Sequence, residues 1–363
     1  MRRCTAALLA LLFSIGTANA DTPKRKVIID DEGFGLMHLM LLSDPKVEVL
    51  GLTTVSGNVW ANRATAMALR GVEIAHRTDV PVVQGATYPL VNTEALTDRW
   101  EALYGKLTWK GAWMKHWVEP TQQSTPAYFG ANDPVNLPGG NPTHKASDEI
   151  AANFLIRMVH EYPGEVTILA AGPFTNLALA QRLDPAFAGL ARELVYMGGS
   201  LNPHQVLTSR SAADFAREYT NTPRREFNAR FDPEAASIVA HAPWRKITAV
   251  PIDPSTATEL SPALLARLAK VAPPEVGKFI AAMEPGFPLW DETAAAVWLD
   301  PAIVTQHETL FIDYDTVFSA GYGDMLSWRD GYQPGLGEQK TEVVRAVDPA
   351  RLETLIAKEI GRR

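Results

Sequence analysis

Asp30, Asp31 and Glu32 are three consecutive carboxylates that close the apolar run Val27-Ile28-Ile29 and lead straight into Gly33. Like charges at this spacing repel unless a cation or a shared proton neutralises them. A hard cation such as calcium or magnesium is the simplest neutraliser, because carboxylate oxygens suit it as donors. A solvated acidic loop or a helix N-cap is the plain alternative, and the triplet alone leaves both open. Other chemistry-bearing types follow further along: Asn58 in Ser56-Gly57-Asn58, Thr175 and Asn176 after Gly172-Pro173, Glu226 and Asn228 in EFNARFDP, and Asp291 in PLWDE. Several of these also have a purely structural reading. Asn58 can end a strand in a turn, Thr175 and Asn176 can cap a helix, and Asp291 can favour a helix dipole from its first turn. Asp232-Pro233 reads as an N-cap with proline at the first helical position, and Asp232 is left out of the site.

Side chains this far apart need a scaffold that gathers them. The run ending at Asp30 reads as a buried parallel strand that delivers its acids to the sheet's carboxyl edge, where open α/β folds bind ligands. Leu36 to Leu42 is apolar apart from His38 and predicts a buried helix, broken by Ser43-Asp44-Pro45. Val47 to Val55 reads as a second strand, Asn62 to His76 has helical spacing, and Val80 to Val83 makes a short third strand. A helix from Ser147 to His160, a strand from Val166 to Ala170, a helix through Arg182 and a strand from Leu194 to Met197 continue the alternation. After Asp232 come a helix, a strand at Ile247 to Ile252, helices at Ser261 to Lys270 and Pro274 to Met283, and a terminal helix at Asp348 to Ile360. This rhythm predicts the α/β class: a single domain over residues 21–363 with a mostly parallel central sheet flanked by helices. Residues 92–146 interrupt it with Trp100, Trp109, Trp113 and Trp117 and a stretch rich in Pro, Gly and Asn. So long an irregular insertion points to a lid or an interface. Its aromatics suit a planar ligand, a satellite core or a subunit contact alike.

Arg2 and Arg3, the apolar stretch Ala6 to Ile15 and the pattern Ala18-Asn19-Ala20 have the layout of a secretory signal peptide over residues 1–20, too short to span a bilayer. Cleavage is expected after Ala20, with a periplasmic or secreted product. The one cysteine, Cys4, lies inside that segment, so the mature chain offers no disulfide and no thiolate chemistry. The formal charge is -7, and no basic stretch with interleaved aromatics stands out, which argues against a nucleic-acid polymer as partner. No second apolar segment approaches membrane-spanning length.

Taken in order, the strand ending in acids, LGLTTVSGN (50–58), AAGPFTNLALAQRLDP (170–185), VYMGGSL (195–201), EFNARFDPEAASIV (226–239) and PLWDETAAAVWLDP (288–301) resemble the inosine-uridine-preferring nucleoside hydrolase family. The resemblance covers nearly the whole chain after the leader. It implies hydrolysis of the N-glycosidic bond of ribonucleosides, a small-molecule substrate, a bound calcium ion and a homodimer or homotetramer. Positive charge develops on the ribose as the bond breaks, so such a site needs carboxylates and a delivered water. Position by position, Asp30 matches the first strand-end acid, and Glu32 matches a metal ligand and base, with Asp31 beside it as a second catalytic candidate. Asn58, Glu226 and Asn228 match residues that hold the ribose. Thr175 matches a calcium-binding carbonyl position, and Asp291 the last carboxylate ligand.

The chain departs from that pattern in two places. The family's opening motif ends in an Asp pair, whereas here the corresponding stretch reads Gly35-Leu36-Met37. The loss removes a calcium ligand unless Asp31 replaces it, and Glu for Asp at 32 moves the carboxylate out by about 1.5 Å. Trp290 stands where many members have a histidine thought to protonate the leaving base; an indole can stack on a base but cannot act as that acid. Among His38, His76, His144, His160 and His204 the sequence selects no substitute, and His204, after Met197-Gly198-Gly199, is the least arbitrary. The departures leave two further readings: a catalytically weakened scaffold that binds a ribosyl ligand, or a hydrolase of another N-ribosyl compound.

Overall fold

The computed structural model describes residues 23–107, 109–117, 126–201 and 226–362. The leader and His204 therefore lie outside the described residues. The strands are β1 (Arg25–Asp31), β2 (Val47–Thr54), β3 (Val82–Gln84), β4 (Val166–Ala170), β5 (Glu193–Met197), β6 (Ile247–Val250), β7 (Val304–Tyr314), β8 (Met325–Trp328) and β9 (Gln339–Val347). They form one sheet in the order β3-β2-β1-β4-β5-β6-β9-β7-β8. Every pairing from β3 across to β9 is parallel, while β7 runs antiparallel to both β9 and β8. The expected α/β class with a mostly parallel sheet is what the chain adopts.

The order reverses at β1. The chain adds β2 and β3 on one side and β4, β5 and β6 on the other. Such a switch point leaves a crevice beyond the strands' carboxyl ends. β1 is covered on both faces. Val27 and Ile29 pack in one core cluster with the helix Leu36–Ser43, and Ile28 packs in a second cluster with Ile168 and Phe174. That helix is buried all round, with Leu36 through Leu42 inside, because it lies between the sheet and the helices Trp290–Leu299 and Pro349–Ile360. The two-residue alternation of β1 carries into its acids. Asp31 follows the face of Ile29, Asp30 that of Ile28, and Glu32 lies just past the last strand residue.

The described residues of 92–146 are more regular than the sequence predicts. They include the helix Glu94–Tyr104, started by Thr93 Oγ1 accepting from the Leu96 amide, and a 3-10 turn at Gly111–Trp113. The antiparallel strands β7, β8 and β9 are elements that the alternation of strand and helix signals does not announce. Among the described residues, no helix is long and apolar enough to cross a membrane.

Candidate active site

A cavity of about 640 Å³ opens at the carboxyl ends of the central strands, with Glu32 after β1, Ala171 after β4, Met197 at the end of β5 and Ile252 after β6 in its wall. Glu32, Asn58, Glu226, Asn228, Trp290 and Asp291 all line it. Residues separated by more than 250 positions thus share one chamber.

Glu32 sits in a fitted cradle. Its Oε1 accepts from Asn58 Nδ2 at 2.7 Å, and its backbone amide donates to Asp31 Oδ1 at 2.7 Å. Its Oε2 is buried and has no partner among the described residues. Two glycines make the room: a Cβ on Gly172 would lie 2.2 Å from that Oε2, and one on Gly57 would lie 2.9 Å from Glu32 Cδ. Ser56-Gly57-Asn58 and Ala171-Gly172-Pro173 are glycine-bearing because the carboxylate passes between them.

Asp30, Asp31 and Thr175 do not line this cavity. Asp30 points to the other face of β1, where its Oδ1 accepts from Thr53 Oγ1 at 2.5 Å and Asn176 Nδ2 at 2.8 Å. Asp31 points toward the buried helix, with Oδ2 3.5 Å from His38 Nε2. Consecutive strand residues face opposite ways, which sets Asp30 and Asp31 on opposite faces of β1. The Thr175 hydroxyl donates to Asp232 Oδ2 at 2.6 Å. Asp232, read as an N-cap, also accepts from the Ala235 and Leu90 amides, tying three segments together. Asn176 is a residue that the sequence reading underrated. It holds Asp30 and Thr54 O through Nδ2 and the Ala86 amide through Oδ1.

Burial, followed by the charges of Asp31, Asp291 and Glu226, pushes the Glu32 carboxyl well above the usual range. Burial and then Asp31, Glu292 and Glu226 do the same to Asp291. Asp31 and Glu292 rise to about 7, chiefly from burial. His38 does not offset this charge, because burial drives it down to about 3 and leaves it neutral. The wall is therefore an acidic cluster that favours any positive charge brought among its members. Its geometry falls short of a calcium sphere: among the described residues, no three His, Asp or Glu side chains are grouped to hold a metal ion. Leu36 and Met37, buried in the core, occupy the place of the absent Asp pair.

The remaining wall divides by chemistry. Glu226 accepts from the Asn228, Ala229 and Gly199 amides, and Asn228 Nδ2 donates to Ala171 O at 2.7 Å. Trp109, Trp117, Phe227, Phe287 and Trp290 line the same cavity. Trp109 and Trp117 bring the insertion into the cavity. Trp113 instead stacks on Phe231 at 4.4 Å, and Trp100 donates to Ser319 O at 2.7 Å, so these two serve satellite cores. None of the described histidines lines the cavity.

Comparison with known proteins agrees with this geometry. A family model described as inosine-uridine preferring nucleoside hydrolase matches residues 27–354. Uridine nucleosidase 1 of Arabidopsis thaliana is 37% identical over 68% of this chain, an alignment that spans 62% of the plant protein. An uncharacterized protein of Schizosaccharomyces pombe is 29% identical over 87% of this chain and 80% of its own length. A solved plant nucleoside hydrolase superposes with a TM-score of 0.68 at 24% identity, covering 94% of this chain and 100% of that one.

Proposed function

The chain belongs to the inosine-uridine preferring nucleoside hydrolase family, a family of N-glycosyl hydrolases, and from that premise we propose that it cleaves a ribonucleoside to ribose and free base. The observation that carries the proposal is that Glu32, Asn58, Glu226, Asn228 and Asp291 line one cavity together with several aromatic side chains. Glu226 and Asn228 hold the ribose hydroxyls on the polar side, and the base lies against Trp290 and its aromatic neighbours. The C1′–N bond breaks with its electron pair leaving on the base, and the ribose acquires oxocarbenium character. Glu32 and Asp291 stabilise that charge, which relieves their own repulsion. Water adds its oxygen to C1′ and gives a proton to Glu32, while the departing nitrogen takes a proton from solvent.

The family generally depends on calcium, which supplies a bound water of lowered pKa. Glu32 and Asp291 are the only carboxylates of the expected ligand set in this wall, and each step above runs through the chain's own residues. The same shortfall favours a second reading, a scaffold that binds a ribosyl ligand without efficient turnover. One experiment separates them. The mature protein, residues 21–363, is incubated with a ribonucleoside panel, with calcium or with chelator, and free ribose is measured. Turnover that falls about 10²- to 10⁴-fold in Glu32→Gln supports hydrolysis with Glu32 as base. Saturable binding with no ribose released supports the scaffold. Export to the periplasm and assembly as a homodimer or homotetramer complete the proposal; fractionation of cells and sedimentation of the purified protein test them.

A further inference from the structure

Asn58 uses both sides of its amide. Nδ2 donates to Glu32 Oε1 at 2.7 Å, and Oδ1 accepts from Trp109 Nε1 at 2.7 Å. An indole N–H only donates, so it fixes which end of the amide faces which partner. With Oδ1 committed to Trp109, the donor end is presented to the carboxylate; turned over, the amide would set an oxygen against an oxygen. Trp109 is itself anchored to the turn that carries Asn58. The Ala112 amide donates to Gly57 O at 2.8 Å, and Arg230 Nη2 donates to Trp109 O. Gly111 has φ +56, and a Cβ there would lie 2.3 Å from Gly57 O. The insertion and the Asn58 turn are therefore in direct backbone contact, which brings the indole within reach of the amide.

We propose that Trp109 is a positioning residue for Glu32, acting through Asn58, so that the insertion completes the support of the catalytic carboxylate. The proposal rests on the reading of Glu32 as the base. Trp109 thereby has two separable functions. Its ring is part of the cavity wall, and its N–H sets the orientation of the amide that holds Glu32.

The test has a spectroscopic arm and a kinetic arm. In the ¹H–¹⁵N spectrum of the labelled full mature chain, Trp109→Phe identifies the Trp109 indole signal by its disappearance. Asn58→Ala should move that signal, since its acceptor is gone, and Glu32→Gln should move it less. An indole signal unmoved by Asn58→Ala overturns the proposal, whether or not the protein turns over nucleosides. Kinetically, Trp109→Phe keeps an aromatic wall without the donor and should lower kcat about tenfold, with KM within about twofold. Trp109→Leu removes both and should raise KM as well. Wild-type kcat in Trp109→Phe, or a loss confined to KM, overturns the proposal. If the wild-type protein releases no ribose from any nucleoside, the hydrolase reading fails separately, and the indole signal still decides the hydrogen-bonded chain.

Discussion

Glu32 has freedom in only one direction. Asn58 holds one oxygen, and glycines at 57 and 172 leave space where any other residue would press on the carboxylate. Gly172→Ala should therefore displace the Glu32 head group, since its methyl would meet Oε2 at 2.2 Å and Val55 Cγ1 at 2.9 Å. The expected result is at least a tenfold loss of kcat at a stability cost of about 1–3 kcal/mol, read by ribose release and thermal denaturation. Unchanged kcat would mean that the carboxylate's position does not limit turnover. The polar members of the wall were legible in the sequence because Asn, Glu and Asp at the ends of apolar runs are conspicuous. The glycine cradle, the grip of Asn176 on Asp30 and the indole bond to Asn58 were not. Each depends on a contact between segments far apart in the chain, and no local pattern records it. In the acidic triplet, adjacency in sequence likewise conceals the alternation that sends Asp30 and Asp31 to opposite sides of β1.

At the scale of elements, the parallel half of the sheet was readable because its strands are short apolar runs separated by helices of the expected length. β7 to β9 escaped notice because their burial is uneven. In β7 the residues from Val304 to Thr309 are exposed or half-buried and only the later ones enter the core, so neither period dominates. The Pro, Gly and Asn content of the insertion predicts an irregular segment, yet its described residues are held to the core at defined points. Trp100 Nε1 donates to Ser319 O at 2.7 Å, Asn92 Nδ2 to Arg230 O at 3.2 Å, and the Ala112 amide to Gly57 O at 2.8 Å. Gly111 is the tightest of these points. Gly111→Ala combines a positive φ with a clash at Gly57 O, so the segment bearing Trp109 must lift from the Asn58 turn. Affinity for a nucleoside should fall about tenfold in that variant while the melting temperature drops by only a few degrees, because the helices flanking the insertion keep their packing. Calorimetric titration with a nucleoside checks the first part. A wild-type affinity would detach this segment from the binding site.

For the whole molecule, the buried acids govern how stability depends on pH. Burial raises Asp30, Asp31 and Glu292 to about 7, whereas in an unfolded chain they titrate near 4. Between those values the folded state holds protons that the unfolded state has released, so stability falls as pH rises from about 4 to about 7 and levels off above. Acids with the opposite shift set the lower limit. Burial opposes the shift of Glu73, but bonds from His144, Thr143 and Arg70 outweigh it and lower that carboxyl to about 2. Its contribution is present above its unfolded value and is lost as pH drops toward 2. The melting temperature of the metal-free protein should therefore peak near pH 4 rather than at neutrality. Asp30→Asn separates burial from the reaction centre, since Asp30 lies outside the cavity wall and its Oδ1 acceptor role survives in Asn. That variant should match the wild type near pH 4 and exceed it at pH 8, by on the order of 1 kcal/mol for each pH unit between about 4 and about 7 over which the wild type loses stability to this one group. A variant weaker than the wild type at pH 8 would mean that the ionised Asp30 contributes to stability, and the assignment of its burial as a cost would be reversed. Calcium added at pH 8 supplies the complementary measurement. A rise in melting temperature that disappears in Asp291→Asn would show that two carboxylates suffice to hold the ion, whereas no rise would leave developing substrate charge as the partner this acidic wall is built for.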